Sequence, residues 1–171
     1  TNGDFKQNAL QAAVDKQDVT YKALMEMCEI GWNRRSWLVF ASGVEHAEHV
    51  AEMLNSFGIP SAAVHSKIKG EERDERIAAF KSGELRAVVN NNVLTTGFDH
   101  PPVDLIGMLR PTMSPGLWVQ MLGRGTRPSP ETGKTDCLVL DFAGNTKRLG
   151  PINDPCIPKK KSGMPGDAPV K

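Results

Sequence analysis

Five short apolar runs punctuate residues 35–145 and leave little choice of fold: Trp37–Ala41 (WLVFA), Ser61–His65, Leu85–Asn91, Val103–Leu109 and Thr135–Phe142 (TDCLVLDF). Each has the length of a strand. Between the first two, Val44, Ala47, Ala51 and Leu54 recur at helical spacing and the run closes at Gly58. Between the second and third, residues 71–82 form a charged helix with Ile77 and Phe80 on one face, stopped at Gly83; between the last two, residues 114–122 form another. A strand that is apolar on both faces must be covered on both faces, and amphipathic helices between strands supply the cover. The pattern predicts an α/β domain over residues 35–148, a parallel sheet of about five to six strands with helices on both sides. Ligands of such sheets sit at the carboxyl ends of the strands. The loops after Ala41, His65, Asn91, Leu109 and Phe142 are therefore the expected site.

The flanks read differently. Residues 1–34 form a helical segment, with Asp18 as an N-cap, then Val19, Ala23, Met27 and Ile30 at helical spacing and Gly31 as the stop. From Gly144 onward the alternation fails. Residues 149–171 carry Pro151, Pro155, Pro158, Pro165 and Pro169 with Lys159–Lys161, which reads as a mobile tail. The Lys run is either a solvated stretch or a nucleic-acid or targeting patch. A length of 171 residues fits one domain, and a formal net charge of +1 excludes a global basic field. Any nucleic acid must then be bound by a local groove. Cys28, Cys137 and Cys156 lie far apart, against a zinc site or disulfide framework and in keeping with a reducing, cytoplasmic compartment. There is no apolar run of the roughly 20 residues a membrane span needs. No signal peptide is recognisable, and a start at Thr1 without Met suggests a fragment or a processed product.

Three stretches can carry chemistry. In Gln120-Met-Leu-Gly123-Arg124-Gly125-Thr126-Arg127, two arginines emerge three residues apart where a helix ends. A guanidinium is permanently charged and contacts two oxygens at once, as phosphoryl transfer requires. The competing reading makes both arginines caps of a helix C-terminus. In Val93-Leu-Thr95-Thr96-Gly97-Phe98-Asp99-His-Pro101, hydroxyls and a glycine can serve a phosphate backbone, and Asp99 can accept from a sugar hydroxyl. It reads equally as a rigid loop with an Asx turn. Third, Leu38–Gly43 runs a strand into a helix N-terminus, whose free N–H groups suit a phosphate.

In this order the three resemble motifs IV, V and VI of superfamily 2 helicases. QMLGRGTR is similar to the family's QxxGRxGR and TTGFDHP to its TxGxDxP, and the likeness spans residues 36–143. Val64-His65, Glu71-Glu72-Arg73 and Phe80–Gly83 resemble the segment that precedes motif V. From Asn90 to Gly150 the chain most resembles RadD-type helicases of bacteria and their phage relatives, which implies DNA repair and a bacterial or phage cytoplasm.

The resemblance implies a RecA-like second motor lobe. Arg124 and Arg127 would be arginine fingers reaching ATP and Mg²⁺ held mainly by the first lobe, and Gln120 and Gly123 would serve the nucleotide side of their helix. Gly97 and Asp99 would sit at the ribose and the coupling interface. Ser42, Thr95, Thr96 and Arg73 would hold the backbone of one DNA strand. The partners implied are single-stranded DNA and the first RecA-like lobe, with no membrane. Thr126 stands where the family has glycine, and Gly70 where the DEAD-box branch carries Gln, which separates the chain from that branch.

Two imitations are set aside. Gly133-Lys134-Thr135 mimics the end of a P-loop, but its first glycine would fall at Pro128 and a strand follows. A turn is the better reading. Leu138–Asp141 mimics a Walker B strand without the following Glu, so Asp141 reads as structural or interlobe. Two other parents remain open: a non-enzymatic RecA-like interaction module, and a restriction-type translocase or chromatin-type remodeller.

Overall fold

A computed structural model describes residues 2–93 and 98–151, with side chains from Lys16 onward. The elements run α1 (Asn2–Ile30), β1 (Trp37–Phe40), α2 (Val44–Ser56), β2 (Ser61–Val64), α3 (Gly70–Ser82), β3 (Ala87–Asn90), β4 (Leu105–Met108), α4 (Pro115–Gly123), a 3₁₀ turn at Pro130–Thr132, β5 (Leu138–Asp141) and α5 (Asn145–Leu149). The five strands form one sheet in the order β2-β3-β1-β4-β5, every pair parallel.

The central strand explains the rest. In β1, Trp37 pairs with Ala87 on one side and Leu105 on the other, and Phe40 with Asn90 and Met108. All four residues of β1 are buried. Alternate side chains point to opposite faces. Trp37 and Val39 pack with Leu24 and Met27 of α1 and Ala47, Val50 and Leu54 of α2. Leu38 and Phe40 pack with Phe80 of α3, Trp118, Met121 and Leu122 of α4, and Leu149 of α5. The RecA-like sheet with helices on both faces is thus realised with five strands. The outermost strand is weaker: in β5, Val139 is 39% exposed.

The N-terminal reading needs three corrections. A single continuous helix of 29 residues stands where the Asp18 cap implied a new start. Asp18 lies inside it and pairs with Lys22 at 3.1 Å, one turn on, instead of capping a new helix. The buried stripe is Thr20, Ala23, Leu24 and Met27, whereas Val19 and Ile30 face outward at 64% and 43% exposure. The physical reason is Gly107 of β4: a Cβ there would run into the end of Met27, so the helix settles with Met27 in that gap. Helix α1 therefore shares the core of residues 35–148. Its exit is fastened by Arg86, which donates to the carbonyls of Gly31, Trp32 and Arg34 while its guanidinium lies 5.0 Å over the Trp37 ring.

The C-terminal reading also changes. Regular structure continues past Gly144 as α5, and Leu149 is completely buried, so the core extends one residue beyond the expected boundary at 148. Local side-chain bonds make the turn. Asp141 accepts from Ala143 N at 3.1 Å and Thr146 N at 2.7 Å, the structural role read for it. Asn145, fully buried, accepts from Thr112 N and donates to Arg110 O, both at 2.8 Å. The expected tail with Cys156 and Lys159–Lys161 lies outside the described residues.

A histidine couples α1 to the sheet. His46 Nδ1 accepts the N–H of Ser42 at 3.2 Å, so it bears no proton, and its Nε2 faces Thr20 Oγ1 of α1 at 3.4 Å. Burial, then Lys16 and His49, hold its pKa below the usual 6.5. His100 is lowered too, first by burial and then by Lys81.

Two predictions follow from this packing. Met27→Ala should lower the stability of the whole domain by about 2–5 kcal/mol in a single transition. Val19→Ala should stay within about 0.5 kcal/mol. Equal effects in urea denaturation would place the wrong face of α1 in the core. For a depressed histidine pKa, the unfolded chain takes up its proton first, so stability is complete above pH 6.5 and is lost as pH falls below it. The melting temperature should drop from pH 7 to pH 5, less steeply in His46→Gln; identical slopes would exclude His46 as a contributor.

Candidate functional site

Helix α4 starts with a side-chain cap: Ser114 Oγ accepts from Leu117 N at 3.2 Å, with Pro115 in the first turn. Its apolar side carries Trp118, Met121 and Leu122 into the core, while Gln120 is exposed. The helix ends at Gly123 and the chain turns tightly, with Gly125 N bonded to Leu122 O at 3.0 Å and Thr126 N to Gly123 O at 3.3 Å. The hydroxyl of Thr126, in the family's glycine position, also donates to Gly123 O. Gly125 is buried so closely that a Cβ would meet Ile106 at 2.8 Å and the Cys137 side chain. Burial in that contact pushes the Cys137 thiol up to about 11.

The turn aims both arginines at the other candidate loop. Arg124 Nη1 donates to Phe98 O at 2.5 Å, and Arg127 Nη1 to Asp99 Oδ2 at 3.0 Å. Asp99 thus clusters with Arg124 and Arg127, which follow it by 25 and 28 residues in sequence. The Arg127–Asp99 side chains are 59% and 54% exposed, so this ion pair is weak and exchangeable. These bonds run to the loop of Phe98 and Asp99, not to the last carbonyls of α4 as the capping alternative requires. Thr95, Thr96 and Gly97 lie outside the described residues.

The remaining predicted contacts lie elsewhere. Ser42 follows β1, where its hydroxyl lies 3.0 Å from His46 Nδ1, beside a cavity of about 520 Å³ shared with Lys16, Thr20, Pro111 and Phe142. Arg73 is half-buried in the first turn of α3. Its neighbourhood is organised by Arg76, which donates to Ala63 O and Glu72, and by buried His65, bonded to Glu48 at 2.6 Å.

This placement corrects the expectation that the whole site gathers at the carboxyl ends of the strands. Ser42 and Arg73 are there. The arginine turn is not, because α4 begins after β4 and runs back against the strand direction, delivering Arg124–Arg127 toward the start of β5. The cavity of about 630 Å³ next to Lys134 is lined by Ser36 and Asp104, which immediately precede β1 and β4. The sheet therefore offers two separated surfaces.

Sequence reasoning missed one residue. Gly133-Lys134 does form a turn, with Gly133 at φ +75°, yet Lys134 Nζ donates to three backbone carbonyls: Pro101 at 2.8 Å, Gly125 at 2.9 Å and Arg127 at 2.6 Å. Its signal was visible only as a false P-loop. Burial lowers its pKa from 10.5. Among the described residues, no three His, Cys, Asp or Glu side chains converge as a metal site, and no helix is long and apolar enough to cross a membrane.

Comparison with known proteins places this geometry. Residues 19–129 match the helicase conserved C-terminal domain. The chain is 36% identical over 151 residues, 86% of its length, to irc3 of Schizosaccharomyces pombe, named as a mitochondrial ATP-dependent helicase. That relative gives no support to a bacterial or phage cytoplasmic source. The chain spans a quarter or less of the length of the curated relatives it matches first. Among solved structures, it superposes on an HsdR-subunit fragment of a type I restriction enzyme from Vibrio vulnificus with a TM-score of 0.69, at 23% identity over 83% of this chain and 29% of that one. On Mycobacterium smegmatis helicase Lhr, in a structure with single-stranded DNA and AMP-PNP, the TM-score is 0.60 at 26% identity, over 74% of this chain and 17% of that one. Its matched domain, its parallel sheet and its motif order together make the chain a member of the helicase conserved C-terminal domain family, the RecA-like C-terminal lobe of superfamily 2 helicases.

Proposed function

We propose that this chain is the second motor lobe of an ATP-dependent DNA helicase or translocase. Arg124 and Arg127 reach the phosphates of ATP, which the first lobe holds with Mg²⁺. Gln120, Gly123, Gly97 and Asp99 shape the nucleotide side of the interface. Ser42, Thr95, Thr96 and Arg73 hold the phosphate backbone of one strand. The observation that carries this reading is the pair Asp99–Arg127: a guanidinium on a tightly turned loop, held by an exposed carboxylate that a phosphate can replace. An arginine supplied from a second body makes hydrolysis depend on lobe closure. The separation of the arginine turn from Ser42 suits a lobe that meets nucleotide on one surface and nucleic acid on another. The DNA assignment follows the resemblance of the motif segment from Asn90 to Gly150 to RadD-type enzymes. The intact set of Gln120, Arg124 and Arg127 speaks against a non-enzymatic module.

The sequence lacks a GxxxxGK[ST] cradle, and arginine fingers alone do not activate water. The isolated chain should therefore hydrolyse no ATP. Turnover above that of an Arg124→Ala, Arg127→Ala double variant would refute this. With a net charge of +1, it should bind single strands weakly and with a shallow salt slope. Strong preference for one base sequence would exclude a translocating motor.

In the full-length motor, Arg127→Ala should reduce DNA-stimulated kcat by about 10³–10⁵ while nucleotide Kd changes little, because its contact forms in the transition state. Arg127→Lys should restore little, since an ammonium lacks the planar two-oxygen contact. Near wild-type kcat in Arg127→Ala would overturn the assignment. A full kcat loss with duplex-only stimulation would favour the restriction-type translocase.

A further inference from the structure

We propose that Lys134 is a positioning residue that pins the arginine turn to the Asp99 loop and sets where Arg127 can reach. The inference rests on the reading of Arg127 as the residue that meets ATP. An ammonium has three N–H donors and no acceptor. In Lys134 all three are used, on the carbonyls of Pro101, Gly125 and Arg127. Two of these acceptors lie in the turn that follows α4, near the negative end of its dipole. The third belongs to the loop that carries Phe98 and Asp99. One side chain thus holds both loops by charge-assisted bonds.

The arrangement separates the root of Arg127 from its head. Its own carbonyl is held at 2.6 Å by Lys134, and Gly125, two residues before, is wedged against Ile106 and Cys137. Its side chain remains more than half exposed and, among the described residues, is paired with exposed Asp99. A fixed root with an exchangeable head suits a group that must meet a phosphate arriving on another body. Small errors of placement cost heavily there, about 10²-fold for 1 Å. Lys134 itself stays out of the chemistry, since its three donors are already committed to backbone. This distinguishes it from the phosphate-binding lysine that Gly133-Lys134-Thr135 imitates.

Two measurements test the proposal. In this chain, amide hydrogen exchange across residues 98–103 and 124–127 should be faster in Lys134→Met than in wild type. Unchanged exchange would overturn the pin. In the full-length motor, Lys134→Met should lower DNA-stimulated kcat roughly 10- to 100-fold with the KM for ATP within about three-fold. Added to Arg127→Ala, it should lower kcat no further, because the group it positions is already gone. Lys134→Arg should restore little, since a planar fork cannot direct three N–H groups onto three converging carbonyls; it also covers the case in which the Met variant does not fold. Full recovery in Lys134→Arg, or a loss that adds independently to that of Arg127→Ala, would reduce Lys134 to a generic stabiliser. If Arg127→Ala alone kept its kcat, the arginine-finger reading would fall, and the exchange result by itself would uphold or overturn the pin.

Discussion

Strand β1 has parallel neighbours on both sides and helices on both faces, and its burial constrains everything else. Four residues without appreciable exposure can keep their backbone groups satisfied only through two complete ladders. Those ladders force β3 and β4 to flank β1, so the chain must cross the sheet between them. Between them, Phe98 stacks on Phe80 of α3, and the loop of Phe98 and Asp99 meets the arginine turn. The Asp99–Arg127 contact is thus a consequence of strand order. Shuffling β3 to an edge would leave both loops intact in sequence and apart in space.

The same topology separates the two surfaces. Helices return against the strands they follow, so the residue after a strand and the residue after its helix lie at opposite ends of the sheet. Ser42 follows a strand; Arg124 and Arg127 follow a helix. A carboxyl-edge rule applies to ligands that a sheet binds for itself. A lobe that completes another body's site is under no such constraint, and here the helix C-terminal turn presents cations. Between the surfaces lies the packed core, with Ile106 touching the turn through Gly125 and its strand neighbours paired to β1. A shift at one surface must pass through close-packed side chains to reach the other.

Much of this was legible in the sequence because the signals were local. The strands of WLVFA and LVLD type, the stop at Gly83, the helix beginning near Ser114 and its end at Gly123 all stand where their residues predict. Most of the failures share one cause: a partner far along the chain. The spacing of Val19, Ala23 and Ile30 is truly helical, but the rotation of α1 is set by the gap at Gly107, 80 residues away. Asp18 has the chemistry of a cap and became an i,i+4 ion pair because the helix had already begun. The loss of alternation past Gly144 hid α5, whose reason to form is Asn145 bridging Thr112 and Arg110. Lys134 was seen and set aside, since nothing near it in sequence announces three carbonyls drawn from two loops.

The balance between fixed and free parts at the arginine turn has a physical logic. Arg124 is half-buried and bonded to a backbone carbonyl, Phe98 O, which cannot move without its loop. Arg127 is exposed and bonded to a carboxylate side chain, which can rotate away at little cost. Two arginines three residues apart therefore differ in how much free energy a phosphate must supply to recruit them. Recruiting Arg124 requires leaving a buried acceptor without its donor, a penalty of about 1–3 kcal/mol unless another donor replaces it. Recruiting Arg127 only exchanges one solvated anion for another, and the second carries more charge. Of the two, Arg127 changes partners at the lower cost, while Arg124 ties the arginine turn to the Phe98 loop.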